Sequence, residues 1–335
     1  MRGAAALILT MSASLLVSGS AFAQRSTIGT APPLVPDQAP AAAPAITTGQ
    51  PAARAATPAP APAAAAAAAK GGTSATCNNP NALGVTRTVE IDTTGGPGFG
   101  FEHFRQHDFL RDKEVVLTFD DGPWPTTPAV LKALADECVK ATFFNIGKHA
   151  TYYPEIVRQV AAAGHSVGSH TWSHVDLARK KKEEAIDEIE KGISAVNWAL
   201  GDQGGQGAPF FRFPALRHPP ELVTYLGERN VAIFSTDMDT FDFKMRKPEQ
   251  VVNSILTRLQ KHGKGIVLMH DFQQATSQAV PEILAQLKAN GYKIVHMKPR
   301  FAIKSLPKYD EELQKEQKIP TVSQRPTSSV VRTVD

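Results

Sequence analysis

Across residues 113–297, short runs of β-branched and aromatic residues alternate with segments of helical period, and this alternation constrains the fold more than anything else in the chain. The strand-like runs cover 115–119, 141–146, 165–169, 210–213, 231–236, 265–269 and 292–297. Of the helical segments, the clearest carries Ile186, Ile189, Ile193, Val196 and Leu200, whose steps of three and four place one apolar stripe on one face. Others are expected at 128–138, 154–163, 219–229, 248–261 and 280–290, and four of these five begin with a proline where a helix start tolerates it. Strands that alternate strictly with helices must pair in parallel through crossovers. Seven such repeats close naturally into a parallel barrel, with an open doubly wound α/β sheet as the alternative. Residues 86–93 read as an additional strand before this core, and Gly95-Gly96-Pro97-Gly98 as a flexible turn after it.

The flanks have a different character. Met1-Arg2, an apolar run over 4–17 and Ser18-Gly19-Ser20-Ala21-Phe22-Ala23 form a charged start, an apolar middle and a small-residue cleavage site, so residues 1–23 read as a secretory signal. The run is broken by Thr10, Ser12 and Ser14 and falls short of the roughly 20 residues that span a bilayer, so no membrane insertion is expected after cleavage. Residues 24–75 are dominated by alanine and proline and cannot bury enough surface to fold. They read as a disordered linker, either a spacer that lets the domain reach a cell wall or a tether with no selected role. A periplasmic location is expected. Residues 76–112 are expected to form an N-terminal extension packing on the core, 113–303 the main folded domain, and the polar stretch 304–335, with Pro307, Pro320 and Pro326, an unordered tail.

A net charge of +4 is mild, and the one dense basic run, Arg179-Lys180-Lys181-Lys182, is followed at once by Glu183-Glu184. That pattern suits a solvated helix start better than a nucleic-acid site, and no nucleic-acid partner is expected. The two cysteines, Cys77 and Cys138, are too few for a zinc knuckle. In an oxidising compartment they can pair, or Cys138 can be a small core residue on the stripe of Leu131 and Leu134.

The unusual polar residues fall at the carboxyl ends of the expected strands. Thr118-Phe119-Asp120-Asp121-Gly122-Pro123 ends the first and His170-Thr171-Trp172-Ser173-His174 the third. Arg212-Phe213-Pro214 ends the fourth, Asp237-Met238-Asp239-Thr240-Phe241-Asp242-Phe243 the fifth, and Leu268-Met269-His270-Asp271 the sixth. In a parallel barrel that edge is where active sites assemble. On a helix, His170 and His174 would lie one turn apart and could grip one ion, with a carboxylate completing a three-residue ligand set. Two adjacent aspartates repel each other, a cost that a divalent ion offsets; singly, each could be a helix cap or a turn residue. His270 emerges from a buried run; alone it would be a structural histidine, but a carboxylate from 239–242 would keep it protonated. Arg212 either holds Asp120 ionised or forms a surface ion pair. His103, His107, His149, His165, His218, His262 and His296 have no comparable company and receive no role.

In this order, the five clusters resemble the five motifs of the polysaccharide deacetylase (NodB-like) family, carbohydrate esterase family four, over about 113–297. The resemblance implies a distorted (β/α)7 barrel that removes acetyl groups from chitin oligomers, peptidoglycan sugars or xylan. It implies that Asp121, His170 and His174 hold zinc or a similar divalent ion such as cobalt or nickel, that Asp120 is the general base and that Arg212 orients it. His270 would be the general acid, tuned by Asp242, and the backbone N–H of Ala215 would help bind the oxyanion. The expected partner is an acetylated polysaccharide, through N-acetyl hydrolysis, with an O-acetyl esterase or a non-catalytic carbohydrate-binding protein as alternatives. The chain departs from the pattern at Ala215 and Phe243, where the family usually has an aromatic residue and a tryptophan, and both changes fall on the sugar-facing wall. Trp124 and Trp172 are either replacement stacking surfaces or ordinary packing residues.

Overall fold

A computed structural model describes residues 77–205 and 207–317. The expected signal at 1–23, the linker at 24–75 and residues 318–335 lie outside the described residues. In chain order the strands are β1 (Arg87–Ile91), β2 (Gly98–Phe99), β3 (Glu114–Asp120), β4 (Thr142–Asn145), β5 (Ser166–Ser169), β6 (Phe210–Phe211), β7 (Ala232–Phe234), β8 (Met238–Asp239), β9 (Gly265–His270) and β10 (Lys293–Pro299). The helices are α1 (Thr127–Asp136), α2 (Gly147–Tyr152), α3 (Pro154–Ala162), α4 (Lys182–Gly204), α5 (Pro220–Glu228), α6 (Pro248–His262), α7 (Gln274–Ala289) and α8 (Pro307–Gln317).

Every strand pair is parallel. From β3 the sheet runs through β4, β5 and β6 to β7, the chain continues directly into β8, and β8 pairs with β9, which returns to β3. This closes a parallel α/β barrel. It is distorted because one edge of β3 is shared: Val115 at its start pairs with Ile294 of β10, whereas Thr118 to Asp120 pair with Thr142 to Phe144 of β4. The other edge belongs to β9 over its whole length, from Val115 opposite Gly265 to Asp120 opposite His270. All seven residues of β3 are buried, as expected for a strand covered on both faces. β1 extends the sheet beside β10, and β2 pairs with β7, so residues ahead of the barrel are built into its sheet.

Two differences from the sequence reading matter for function. The tail expected to be unordered forms α8 over Pro307–Gln317. Tyr309 and Leu313, one turn apart, are buried, and the Tyr309 hydroxyl donates to Asp187 of α4 at 2.8 Å. Two well-spaced apolar residues are enough once α4 provides a surface for them. The segment 170–174 is not helical: Thr171 and His174 have φ of 68° and 57°, so the histidine pair sits on a tight left-handed loop. Finally, Cys77 and Cys138 form a disulfide, with Cα atoms 5.7 Å apart, that ties the start of the described chain to the end of α1.

Candidate metal centre and catalytic cleft

The five polar clusters converge at the carboxyl end of the barrel around a cleft of about 1110 Å³ that Asp120, Asp121, His170, His174, Ala215 and His270 all line. β3 delivers Asp120 and Asp121, β5 delivers His170, and β9 delivers His270 directly opposite Asp120. The loops that finish the site are held in an uncommon backbone conformation. Asp121, Thr171, His174, Ala215, Leu216 and Phe241 all have φ between 53° and 70° without being glycine. Such residues cost of order 1–3 kcal/mol each and persist only where the surroundings over-determine them, which is typical of functional rims.

Asp121 Oδ1 lies 3.5 Å from His170 Nε2 and 3.3 Å from His174 Nε2, and the three ligand atoms are all within 4.8 Å of one another. Among the described residues this is the one group of at least three such side chains close enough to share an ion. Asp121 Oδ1 is also buried with no hydrogen-bond partner, an orphan that costs free energy unless a cation completes it. His170 Nδ1 faces the Arg212 carbonyl oxygen at 2.6 Å, so it donates there and leaves the Nε2 lone pair free. Burial first, then the neighbouring His174, lowers the His170 pKa to about 3, which keeps the ring neutral as a ligand must be. One carboxylate oxygen and two imidazole nitrogens with an open side suit zinc and its divalent neighbours.

Asp120 is buried on the other side of the triad, with Oδ2 3.8 Å from His170 Nε2. Arg212 is no surface ion pair: it is fully buried. Its Nη1 donates to Asp120 Oδ1 at 2.7 Å and to Thr118 Oγ1 at 2.8 Å, and its Nη2 and Nε donate to the carbonyl oxygens of Ser235 and Phe234. The guanidinium also stacks 4.3 Å from the centre of the Phe144 ring. Burial pushes the Asp120 carboxyl up from its ordinary value, against the pull of Arg212 and His270.

His270 Nε2 stands 3.9 Å from Asp121 Oδ2, and its Nδ1 lies 2.6 Å from Asp242 Oδ1. Burial disfavours its charge, but the hydrogen bond and charge of Asp242, helped by Asp121 and Asp120, raise its pKa to about 9. Asp242 is itself fixed, accepting from Thr276 Oγ1 at 2.6 Å. Ala215 lies in a 3₁₀ segment, Pro214–Leu216, at a left-handed φ of 53°, and lines the cleft.

Each metal, base and acid residue expected from the sequence is thus brought to one cleft. Trp124 and Trp172 do not line it. Trp172 is 7% exposed and packs with Ala195 and Leu313, while Trp124 sits against His149 and Tyr153. The aromatic wall comes instead from Phe213, Phe241, Phe243 and Phe272, and the N-terminal extension adds Glu102 and His103. Other supporting residues escaped the sequence reading. His149 Nδ1 lies 2.6 Å from the Asp121 carbonyl oxygen, and Glu188 of α4 accepts from the N–H and hydroxyl of Ser173 at 2.9 and 2.7 Å. No local signal marks them, because each acts 15 or 28 residues away in sequence.

Residues 108–232 match the family model described as polysaccharide deacetylase. Over 193 residues, 56% of this chain and 68% of the relative, the sequence is 32% identical to the peptidoglycan-N-acetylglucosamine deacetylase of Bacillus cereus. The chain belongs to the polysaccharide deacetylase family. Within that family it is also 35% identical, over 188 residues, to a peptidoglycan-N-acetylglucosamine deacetylase of Listeria monocytogenes, although the match spans only 38% of that protein's length. Among solved structures, the peptidoglycan deacetylase of Bdellovibrio bacteriovorus superposes with a TM-score of 0.58 at 32% identity, covering 64% of this chain and 59% of that one. That likeness agrees with the parallel barrel described above.

Proposed function

We propose that this polysaccharide deacetylase family member is an exported, metal-dependent enzyme that hydrolyses N-acetyl groups of N-acetylglucosamine-containing polymers, peptidoglycan or chitooligosaccharide. The observation that carries the reading is a three-ligand cluster, Asp121, His170 and His174, flanked by a carboxylate tied to a buried arginine and by a histidine whose pKa is raised to about 9. The names borne by the Bacillus and Listeria relatives support the same reading. Export to the periplasm, and wall association through the alanine- and proline-rich stretch, rest on the sequence of residues 1–75.

A divalent cation held by the triad, zinc first and cobalt or nickel as alternatives, would polarise the acetamide carbonyl and acidify water at neutral pH. Asp120, oriented by Arg212, takes a proton from the attacking water as the new C–O bond forms. The Ala215 N–H donates to the oxyanion, a contribution of roughly 3 kcal/mol for one such donor. His270, held protonated by Asp242, gives its proton to the amine nitrogen as the C–N bond breaks, releasing acetate and a free amino sugar. Catalysis is assigned to residues 113–303. Acetate release by the metal-loaded chain from N-acetylglucosamine oligomers, peptidoglycan and acetylated xylan tests the reading. Release from the first two, abolished by a chelator, is expected; release from xylan alone would make the protein an O-acetyl esterase, and none at all a binding protein.

A further inference from the structure

The cleft continues past its catalytic residues. A second cavity of about 420 Å³ adjoins it, within the usual 300–1,000 Å³ range of ligand sites, and the two share Glu102, Asp239 and Phe241 as a common ridge. Beyond that ridge the cavity is lined by Phe101, Arg258, His262 and Lys264. Phe101 and Phe241 are 37% and 39% exposed, two aromatic side chains left facing solvent in one groove.

Their positions are built into the fold. The Phe101 N–H donates to Asp237 Oδ1 at 2.6 Å, and the Glu102 N–H donates to the Thr236 carbonyl oxygen at 3.0 Å. Asp237 Oδ2 accepts from the Ile266 N–H at 2.6 Å, so one half-buried carboxylate ties the N-terminal segment to β9. Gly100, at φ 98°, approaches so closely that a Cβ there would lie 2.6 Å from Thr236 N. On the other side of the groove, the Phe241 ring has Lys244 Nζ at 4.7 Å and the Arg258 guanidinium at 5.3 Å from its centre.

We propose that this second cavity is a distal sugar subsite, which binds a residue of the polymer beyond the one being deacetylated and makes the enzyme favour long glycan strands over short oligomers. The proposal rests on the deacetylase reading. A pyranose ring offers an apolar C–H face to Phe101 and Phe241 and hydroxyl groups to Glu102, Asp239 and Arg258, and the mixed charges of the lining suit a hydroxyl-rich ligand better than a strongly charged one. Phe101 and Glu102 precede residues 108–232, so one side of the subsite is supplied from ahead of the family match.

The test compares wild type and Phe101→Ala on N-acetylglucosamine dimer and hexamer. The ratio of kcat/KM for hexamer to that for dimer should fall about five- to ten-fold in the variant, the size of one lost aromatic contact; an unchanged ratio would overturn the proposal. Calorimetric binding of the hexamer to the metal-loaded Asp120→Asn chain, with and without F101A, provides a separate readout. If wild type releases no acetate from either oligomer, the deacetylase reading fails, yet hexamer binding weakened by F101A still upholds the subsite. Equal hexamer binding by both chains rejects it.

Discussion

Asp242 grips His270 at two points: Oδ1 pairs with the ring Nδ1 at 2.6 Å, and Oδ2 accepts from the backbone N–H at 2.8 Å. The ring is therefore fixed in place as well as charged. Because its folded pKa of about 9 lies above the ordinary histidine value, the acid form persists through neutral pH and is lost as pH rises through about 9. The pH profile of kcat/KM, which reports the free enzyme, should show its alkaline limb there. Asp242→Asn should move that limb to lower pH; a limb that stays in place would exclude His270 as the acid.

Asp120→Asn retains the shape of the side chain but removes the proposed base. We expect kcat for acetate release to fall by roughly 10²–10⁴-fold, the usual span for a positioned base. Metal content, measured on the purified variant, should be unchanged because Asp121, His170 and His174 form the ligand cluster without it.

Arg212 is a fully buried cation whose ion-pair partner is Asp120. Arg212→Ala leaves that carboxylate buried and unpaired, a loss of about 3–5 kcal/mol that urea unfolding should register. Arg212→Lys should recover little, since an ammonium cannot reproduce the fork that reaches Asp120, Thr118 and two carbonyl oxygens.

Leu313 of α8 packs with Trp172, which sits between His170 and His174. Leu313→Ala should cost about 2–5 kcal/mol of stability. It should also weaken metal binding in a chelator competition more than Leu226→Ala, which truncates a separate core cluster. Equal metal affinity in the two variants would show that α8 does not support the ligand loop.

The Cys77–Cys138 disulfide closes a separation of 61 residues. By the chain-entropy account its loss should cost on the order of 4 kcal/mol. Cys77→Ser should therefore lower the thermal midpoint measured under oxidising conditions, and reduction of the wild-type chain should reproduce the shift.

Each strand-like run read from the sequence overlies an observed strand, because a buried parallel strand needs a continuous apolar run and its crossover helix an apolar stripe. β2 and β8, two residues each, were not legible: unlike the equally short β6, which lies in the apolar run 210–213, neither sits in an apolar run. The reading of His170 and His174 found the right residues on the wrong backbone. Their spacing of four mimics a helical turn, whereas Gly192 of α4 presses so close that a Cβ there would lie 2.5 Å from the Thr171 carbonyl carbon, and the loop is shaped by that packing.

By itself, the sequence determined the parallel α/β class through its hydrophobic period, and it pointed to the metal, base and acid candidates through polar clusters at strand ends and the family resemblance those clusters carry. Only the tertiary structure decided that Arg212 is buried, that Asp242 pairs with His270, that α8 packs on Trp172 through Leu313, and that Phe101 and Glu102 line the cavity adjoining the cleft. These are contacts between residues far apart in the chain. Burial and long-range hydrogen bonds set their strength, and neither is a property of any local stretch of sequence.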